Sequence, residues 1–269
     1  MKKELKHSLG MAWLVWGLAA LYYFSDYMAR VAPGVMHQSL QSAFDISESG
    51  FGLLTYSFYI PYILMQIPVG LLVDRISIRK LLTSMSILTA LGCIIFGMAD
   101  SLWMAALGRM LIGFSAAFAF ISSLRLATAW FPPAMLGLLA GLTQALGMLG
   151  AAAGEAPIAL MSHALGWREC MYWLSGLFLL LALFLYRFIH DHESMAKVKR
   201  SKNHALSIMD SLKIVLSHKQ IWMNALYAGC LFGPTAVIGE SYGPAFLQYG
   251  WNLTAHQAAS AIGFIFIGW

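Results

Sequence analysis

The chain is 269 residues long, 59% hydrophobic and only 11% charged, with a formal net charge of +5, and its mean hydropathy is +0.70. Soluble domains carry about 25% charged residues, so this composition excludes a water-solvated fold and points to lipid as the solvent. The basic excess forms no patch interleaved with exposed aromatics, which excludes a nucleic-acid surface. Cys93, Cys170 and Cys230 lie far apart inside apolar stretches, without the spacing of a disulfide framework or a zinc site.

In chain order, a short basic start (Lys2, Lys3, Lys6) precedes an apolar run whose far end is interrupted by Asp26 and Arg30, so it reads as an uncleaved first helix rather than a secretory signal. Stretches of bilayer-crossing length, about 20 residues each, run from Gly10 to Met36, Gly50 to Val73, Leu81 to Ala99, Leu102 to Trp130, Gly137 to Met161, Cys170 to Ile189 and Ile221 to Leu247. An eighth begins near Ala258 and stops at Trp269. Residues 1–189 are therefore expected to form a six-helix transmembrane bundle, 190–220 a cytoplasmic linker, and 221–269 the first helix and part of the second helix of a second, truncated bundle.

Cytoplasmic loops carry the excess of Lys and Arg. With the N-terminus inside, the inner segments hold Lys2, Lys3, Lys6, Arg75, Arg79, Lys80, Arg187, Lys197, Lys199, Arg200, Lys202, Lys213 and Lys219, most of the 17 basic residues. The outer segments, near Gln38–Ser49, Asp100–Ser101, Ser162–Glu169 and Gln248–His256, hold Arg168 beside Asp45, Glu48, Asp100 and Glu169. The expected setting is a multi-pass protein of a cell membrane, of the bacterial inner-membrane type, with a cytoplasmic N-terminus.

In the linker, His190, His192 and Glu193 suit a metal by type, but sequence neighbours without a rigid scaffold seldom converge on one ion. No metal or other cofactor is assigned. Ser207 to Leu216 is compatible with a short amphipathic surface helix. The chain contains no phosphate loop, no Gly-x-Ser-x-Gly elbow and no metalloprotease pairing of His and Glu, so an enzyme is not expected.

Between the second and third stretches lies Gly70-Leu71-Leu72-Val73-Asp74-Arg75-Ile76-Ser77-Ile78-Arg79-Lys80, a hydrophilic break in an almost uncharged region. It resembles the loop signature of the major facilitator superfamily of secondary transporters, with Gly70, Leu72, Asp74, Arg75, Arg79 and Lys80 in the family's places. Ser77 stands where the family usually has Gly, so the turn there either does not demand a positive φ or takes it at some cost. Gly108-Arg109 with Gly113 and Ala117 is similar to the family's Arg-containing motif, and Gly113, Ala116 and Ala117 share a face suited to close helix approach.

Gly147, Gly150 and Gly154 before Pro157 make a second such face. That stretch lacks the Gly-Pro-Gly-Gly ending of the drug antiporters, which disfavours drug export. Gly166-Trp167-Arg168 also recurs in the family and would mark the outer interface. The resemblance implies an all-α, polytopic fold: a six-helix N-terminal bundle of inverted three-helix repeats. It also implies that Gly70 permits close packing, that Asp74, Arg75, Arg79 and Lys80 form a gating latch, and that the latch's further partner lies in helices beyond this chain.

Ionisable groups inside lipid are tolerated where they face a cavity or a partner. Tyr22, Asp26, Arg30 and Pro33 recur at helical spacing and form one polar stripe on the first span. Arg30 is expected to attract an anionic group of the substrate. Asp26 or Glu155 would take up a proton, since a desolvated carboxyl holds one more readily, with Arg109 balancing charge and Glu240 a further coupling candidate.

The competing reading is structural: permanent ion pairs of Asp26 with Arg109, or of Arg30 with Glu155. Tyr59, Tyr62, Gln66, Gln144, Asn224 and Tyr227 fill out a polar cavity or serve as interhelical hydrogen bonds. Arg125 either contacts substrate or snorkels to the headgroups. Gly233-Pro234 should break the seventh span.

The expected function is movement of a small polar solute, an organic anion, amino acid or similar metabolite, by alternating access with proton symport. The partners are then the solute, protons or another coupling ion, and the lipid bilayer. The rival readings are a non-transporting membrane sensor or scaffold with the same fold, and an inactive half-transporter.

Overall fold

The computed structural model describes residues 2–189 and 216–268; the side chains of residues 2–8 and of Leu71 are not among those described. No strand occurs among the described residues. The first span is α1 (Lys2–Val35), followed by a short α2 (His37–Phe44). The next five are α3 (Glu48–Arg75), α4 (Ile78–Gly97), α5 (Leu102–Trp130), α6 (Leu136–Leu165) and α7 (Trp167–Phe188). The seventh is α8 (Lys219–Pro234), which continues through a π-helical segment (Thr235–Tyr242) into α9 (Gly243–Trp251), and α10 (Ala255–Gly268) closes the described chain.

Five of these spans, the third to the seventh, are long and apolar enough to cross a membrane by length and composition alone. The first and second reach 34 and 28 residues, but their polar side chains, among them Asp26 and Arg30 on α1 and Gln66 on α3, lower their hydropathy. On α1, Asp26 and Arg30 are turned inward. Outside, apolar side chains are left bare: Trp103 is 73% exposed, Leu64 70% and Trp173 66%. Such an inside-out distribution suits lipid rather than water.

The bundle is organised about α5. The second span lies along the fourth as the fifth lies along the first, while the third and sixth pair with each other; this is the pattern of two three-helix repeats. Both symmetry-related seams use glycine to bring backbones together. A Cβ on Gly113 of α5 would collide with the Phe58 carbonyl of α3, and one on Gly150 of α6 with the Phe24 carbonyl of α1. α4 and α7 are joined by Ser86, whose hydroxyl donates to the Phe178 carbonyl at 2.7 Å. α10 packs on α6.

Local chemistry sets the ends. Ser77 at φ −58° caps α4 by accepting from the Lys80 amide, so the turn takes serine without strain. Ser101 caps α5 through the Met104 amide. Gly166, at φ +99°, ends α6 and starts α7 with the positive φ that glycine adopts readily. Asp45 closes α2 in the left-handed region.

Three expectations change, and one falls outside what is described. The segment after the first span, expected as a connection, is largely helical: α1 ends at Val35, one residue short of the expected Met36, and α2 takes up His37–Phe44. Gly70 is exposed, and a Cβ there would meet no described atom, so it does not serve close packing here. Gly233-Pro234 leaves no gap, because the helix widens to the π form and continues. His190, His192 and Glu193, and nearly all of Ser207–Leu216, lie outside the described residues.

Candidate functional site

With 3.6 residues per turn, adjacent positions on α1 face different neighbours, and this divides the polar residues of the first span in two. Tyr22, Asp26 and Arg30 point into the bundle, all at most 2% exposed. Tyr22 Oη meets Thr89 Oγ1 of α4 at 3.3 Å, and Thr89 meets Ser115 of α5 at 2.7 Å. Tyr22 therefore belongs to a buried hydrogen-bond network and not to a solute-binding wall, a correction to its expected role. The neighbouring stripe, the buried Tyr23 and Tyr27, lines a cavity instead.

Arg30 is the centre of the inward stripe. Its guanidinium lies 3.6 Å from Asp26 Oδ2 and 3.8 Å from Glu240 Oε1. Aromatic rings cover it: Tyr27 at 4.4 Å, Tyr62 at 4.9 Å and Phe58 at 5.0 Å from the guanidinium carbon. Tyr59 donates its hydroxyl proton to Glu240. Arg109 also meets Phe58, its guanidinium 4.7 Å from the ring centre and donating to the Ala29 carbonyl at 3.1 Å. One phenyl ring thus contacts two buried cations.

Glu240 reaches Arg30 because the π segment brings it there. The backbones nearly touch at this crossing: a Cβ on Gly34 would lie 2.7 Å from the Glu240 carbonyl oxygen. Beyond it, towards the end of the bundle that holds Asp100, Tyr242 packs on Phe51, 5.7 Å between centroids, and near the buried His37. His37 in turn pairs with Glu48 at 3.1 Å. The first six spans and the seventh are therefore in contact at this end.

On the other side of the aromatic wall is a cavity of about 260 Å³ lined by Tyr23, Tyr27, Tyr62, Gln66, Ala117, Phe120, Ile121, Gln144 and Phe232. Tyr23 donates to Gln144 Oε1 at 3.2 Å and to the Tyr27 hydroxyl at 3.4 Å. The cavity walls are aromatic and neutral-polar, with the Arg30 cation directly behind Tyr27 and Tyr62. Gln66 and Gln144 stand in this cavity, and Tyr59 stands behind it with Glu240.

The remaining expected positions separate from it. Asn224 and Tyr227 are exposed on α8, outside the cavity, where Phe232 of the same helix contributes instead. Arg125 is not in the cavity either: its Nε lies 2.9 Å from Asp74 Oδ1, so Asp74 has a partner within the first six spans. Arg79 lies over the Tyr186 ring at 4.2 Å, tying the loop to α7, while Arg75 and Lys80 are exposed. At the opposite end Arg168 donates to the Ala99 carbonyl at 2.9 Å and to Asp100 at 3.2 Å. The alternative pairings of Asp26 with Arg109 and of Arg30 with Glu155 do not form.

Glu155 is 1% exposed, and neither of its carboxyl oxygens has a hydrogen-bond partner. Tyr23, Tyr27 and Phe58 were not singled out from sequence. The first two carry a legible signal, an i, i+4 tyrosine pair one step off the Asp26–Arg30 stripe. Among the described residues no cluster of three His, Cys, Asp or Glu side chains is placed to hold a metal ion.

Apolar helices outside, ionic groups inside and a tyrosine-walled cavity between spans define a multi-pass helical membrane protein built around a polar centre. The chain belongs to the Major Facilitator Superfamily, whose family model matches residues 15–269. It is 28% identical over 165 residues to a probable sulfoacetate transporter of Cupriavidus necator, a match covering 61% of this chain and 38% of that protein. It is 26% identical to a probable galactarate/D-glucarate transporter of Escherichia coli, covering 77% of this chain and 52% of that protein. The chain thus spans about half or less of the length of these relatives.

The solved bacterial homologue of the human lysosomal transporter Spinster, in an inward-facing and unoccupied conformation, has the same fold with a TM-score of 0.74 at 16% identity. That match covers 94% of this chain and 59% of the homologue.

Proposed function

We propose that the protein moves a small organic anion across a bacterial inner membrane by alternating access, in symport with protons. The observation that carries this reading is Arg30: a buried guanidinium behind two cavity-lining tyrosines, with its carboxylate neighbours at 3.6 and 3.8 Å. Charge-assisted hydrogen bonds close at about 2.7–2.9 Å, so Arg30 retains donors that a ligand can take. A small rotation of Tyr27 or Tyr62 exposes the cation to the cavity. An entering anion then competes with Glu240, the partner that comes from the seventh span.

The names of the two relatives support the substrate class, since sulfoacetate and galactarate or D-glucarate are small carboxylate anions. Within this reading residues 1–189 act as one body and the seventh span begins the other. The Asp74–Arg125 pair with Arg79 forms the latch at the cytoplasmic end, on the side that carries most of the Lys and Arg and the N-terminus.

The test is uptake of labelled sulfoacetate and galactarate into proteoliposomes, with and without an inward proton gradient. The expected result is gradient-dependent accumulation that Arg30→Lys abolishes, because an ammonium cannot offer the guanidinium fork. Undiminished uptake in that variant would remove Arg30 from the site.

A further inference from the structure

We infer that Glu155 is the seat of the coupling proton, separate from the anion site at Arg30, and that it keeps its proton for as long as the seam between α6 and α10 stays closed. This rests on the proton-coupled reading above and decides which carboxyl carries the proton.

Three observations converge on this residue. First, Glu155 is sealed and unpartnered, with both carboxyl oxygens buried and free of hydrogen bonds. An ionised carboxylate in such a place costs several kcal/mol, and no cation offsets it. The Asp26 oxygens are likewise free of hydrogen bonds, but Asp26 has a guanidinium at 3.6 Å, and Glu240 has Arg30 and the Tyr59 hydroxyl.

Second, the charges within the bundle count out one short. Among the described residues, Asp26, Glu155 and Glu240 are the buried carboxyls, and Arg30 and Arg109 the buried guanidiniums. Fully ionised, this set carries one net negative charge; one proton on Glu155 makes it neutral.

Third, Glu155 sits at a joint. Its neighbour Gly154 touches α1, where a Cβ would lie 3.0 Å from Val31 Cγ2 and 3.1 Å from Met28 Cα. One turn away, the Ala152 backbone faces Gly263 of α10.

The charged groups on the elements packed against α6 leave this arrangement intact. From α1, Asp26 and Arg30 are engaged with each other. Arg109 of α5 is bonded to Ala29, and Arg168 of α7 to Asp100, with Glu169 at the outer start of α7. α10 brings His256, exposed near its first turn. Glu240 of the π segment does act on Glu155 and is of the same sign.

Separation of α10 from α6 admits water, the carboxyl O–H bond breaks, and the proton passes to that water while the carboxylate is solvated. Closure on the ionised form is unfavourable until a proton returns. Movement and protonation are thereby linked at one side chain.

Infrared spectroscopy of the protein in nanodiscs, without substrate, tests the assignment directly. At neutral pH a band from a protonated, weakly hydrogen-bonded carboxyl is expected, lost in Glu155→Gln and kept in Asp26→Asn. Absence of the band in the unmodified protein, or its persistence in Glu155→Gln, overturns the proposal. Should Glu155→Gln fold poorly, Glu155→Met serves: loss of the band with an unchanged or higher melting temperature supports it, and a lower melting temperature overturns it.

In proteoliposomes Glu155→Gln should lose gradient-driven accumulation of sulfoacetate while retaining counterflow exchange; loss of both would overturn the assignment. The infrared outcome needs no substrate. A failure of the anion reading, seen as wild-type uptake in Arg30→Lys, therefore remains distinct from a failure at Glu155.

Discussion

Two arginine–carboxylate sites in this molecule have opposite geometry and opposite surroundings. At the Asp74 end, Arg125 and Asp74 approach to 2.9 Å, but they are 21% and 59% exposed. In the centre, Arg30 stands 3.6 Å from Asp26 with both almost fully buried. The short contact lies where water competes for both partners, so it contributes at most about 1 kcal/mol. The long contacts lie where no water replaces a lost partner, and removing one strands a charge at a cost of about 3–5 kcal/mol. Distance alone would rank the two sites the wrong way round; solvent access ranks them.

That ranking is open to direct attack. Arg30→Ala strands both Asp26 and Glu240 and should lower stability by about 3–5 kcal/mol in SDS unfolding titrations; a loss below that of Asp74→Asn would reverse the comparison. Tyr59→Phe removes the donor to Glu240 and should cost about 1.5–3 kcal/mol, the range for hydrogen bonds to charged groups. If the Tyr59→Phe loss disappears in a Glu240→Gln background, the two residues act through one contact. Asp74→Asn should change stability by no more than about 1 kcal/mol, and raising the salt concentration should shrink the difference further; a salt-independent loss would mean the end pair is effectively buried.

Much of this arrangement was legible in the residues. The helical spacing of Tyr22, Asp26 and Arg30 identified an inward stripe, and the glycines at 147, 150 and 154 identified the face of α6 that meets α1. Periodicity specifies a helix's own faces and says nothing of which helix stands opposite, so the partners were the hidden part. Arg30 is paired within its own helix and with Glu240, two hundred and ten positions on. Arg125 turns to Asp74, and Tyr22 turns to Thr89 rather than to the cavity.

The cavity stripe of Tyr23 and Tyr27 differs from the ionic stripe by a single helical step, a rotation that only packing fixes. Phe58 was invisible for another reason: an apolar ring in an apolar span has no signal until two guanidiniums are found against it. The short α2 was likewise hidden among polar residues that read as a connection.

The π-helical stretch from Thr235 to Tyr242 has a bearing on more than the side chain it presents. Such segments hold an extra residue per widened turn and are often inserted singly into α-helices. Excising that extra residue would let the backbone tighten to the α form and leave α9 and α10 close to their present phase, whereas losing a residue from the regular turns of α8 would rotate everything beyond it by about 100°. The widened stretch is therefore slack in the chain, and a length change is absorbed or amplified according to the side of Pro234 on which it falls.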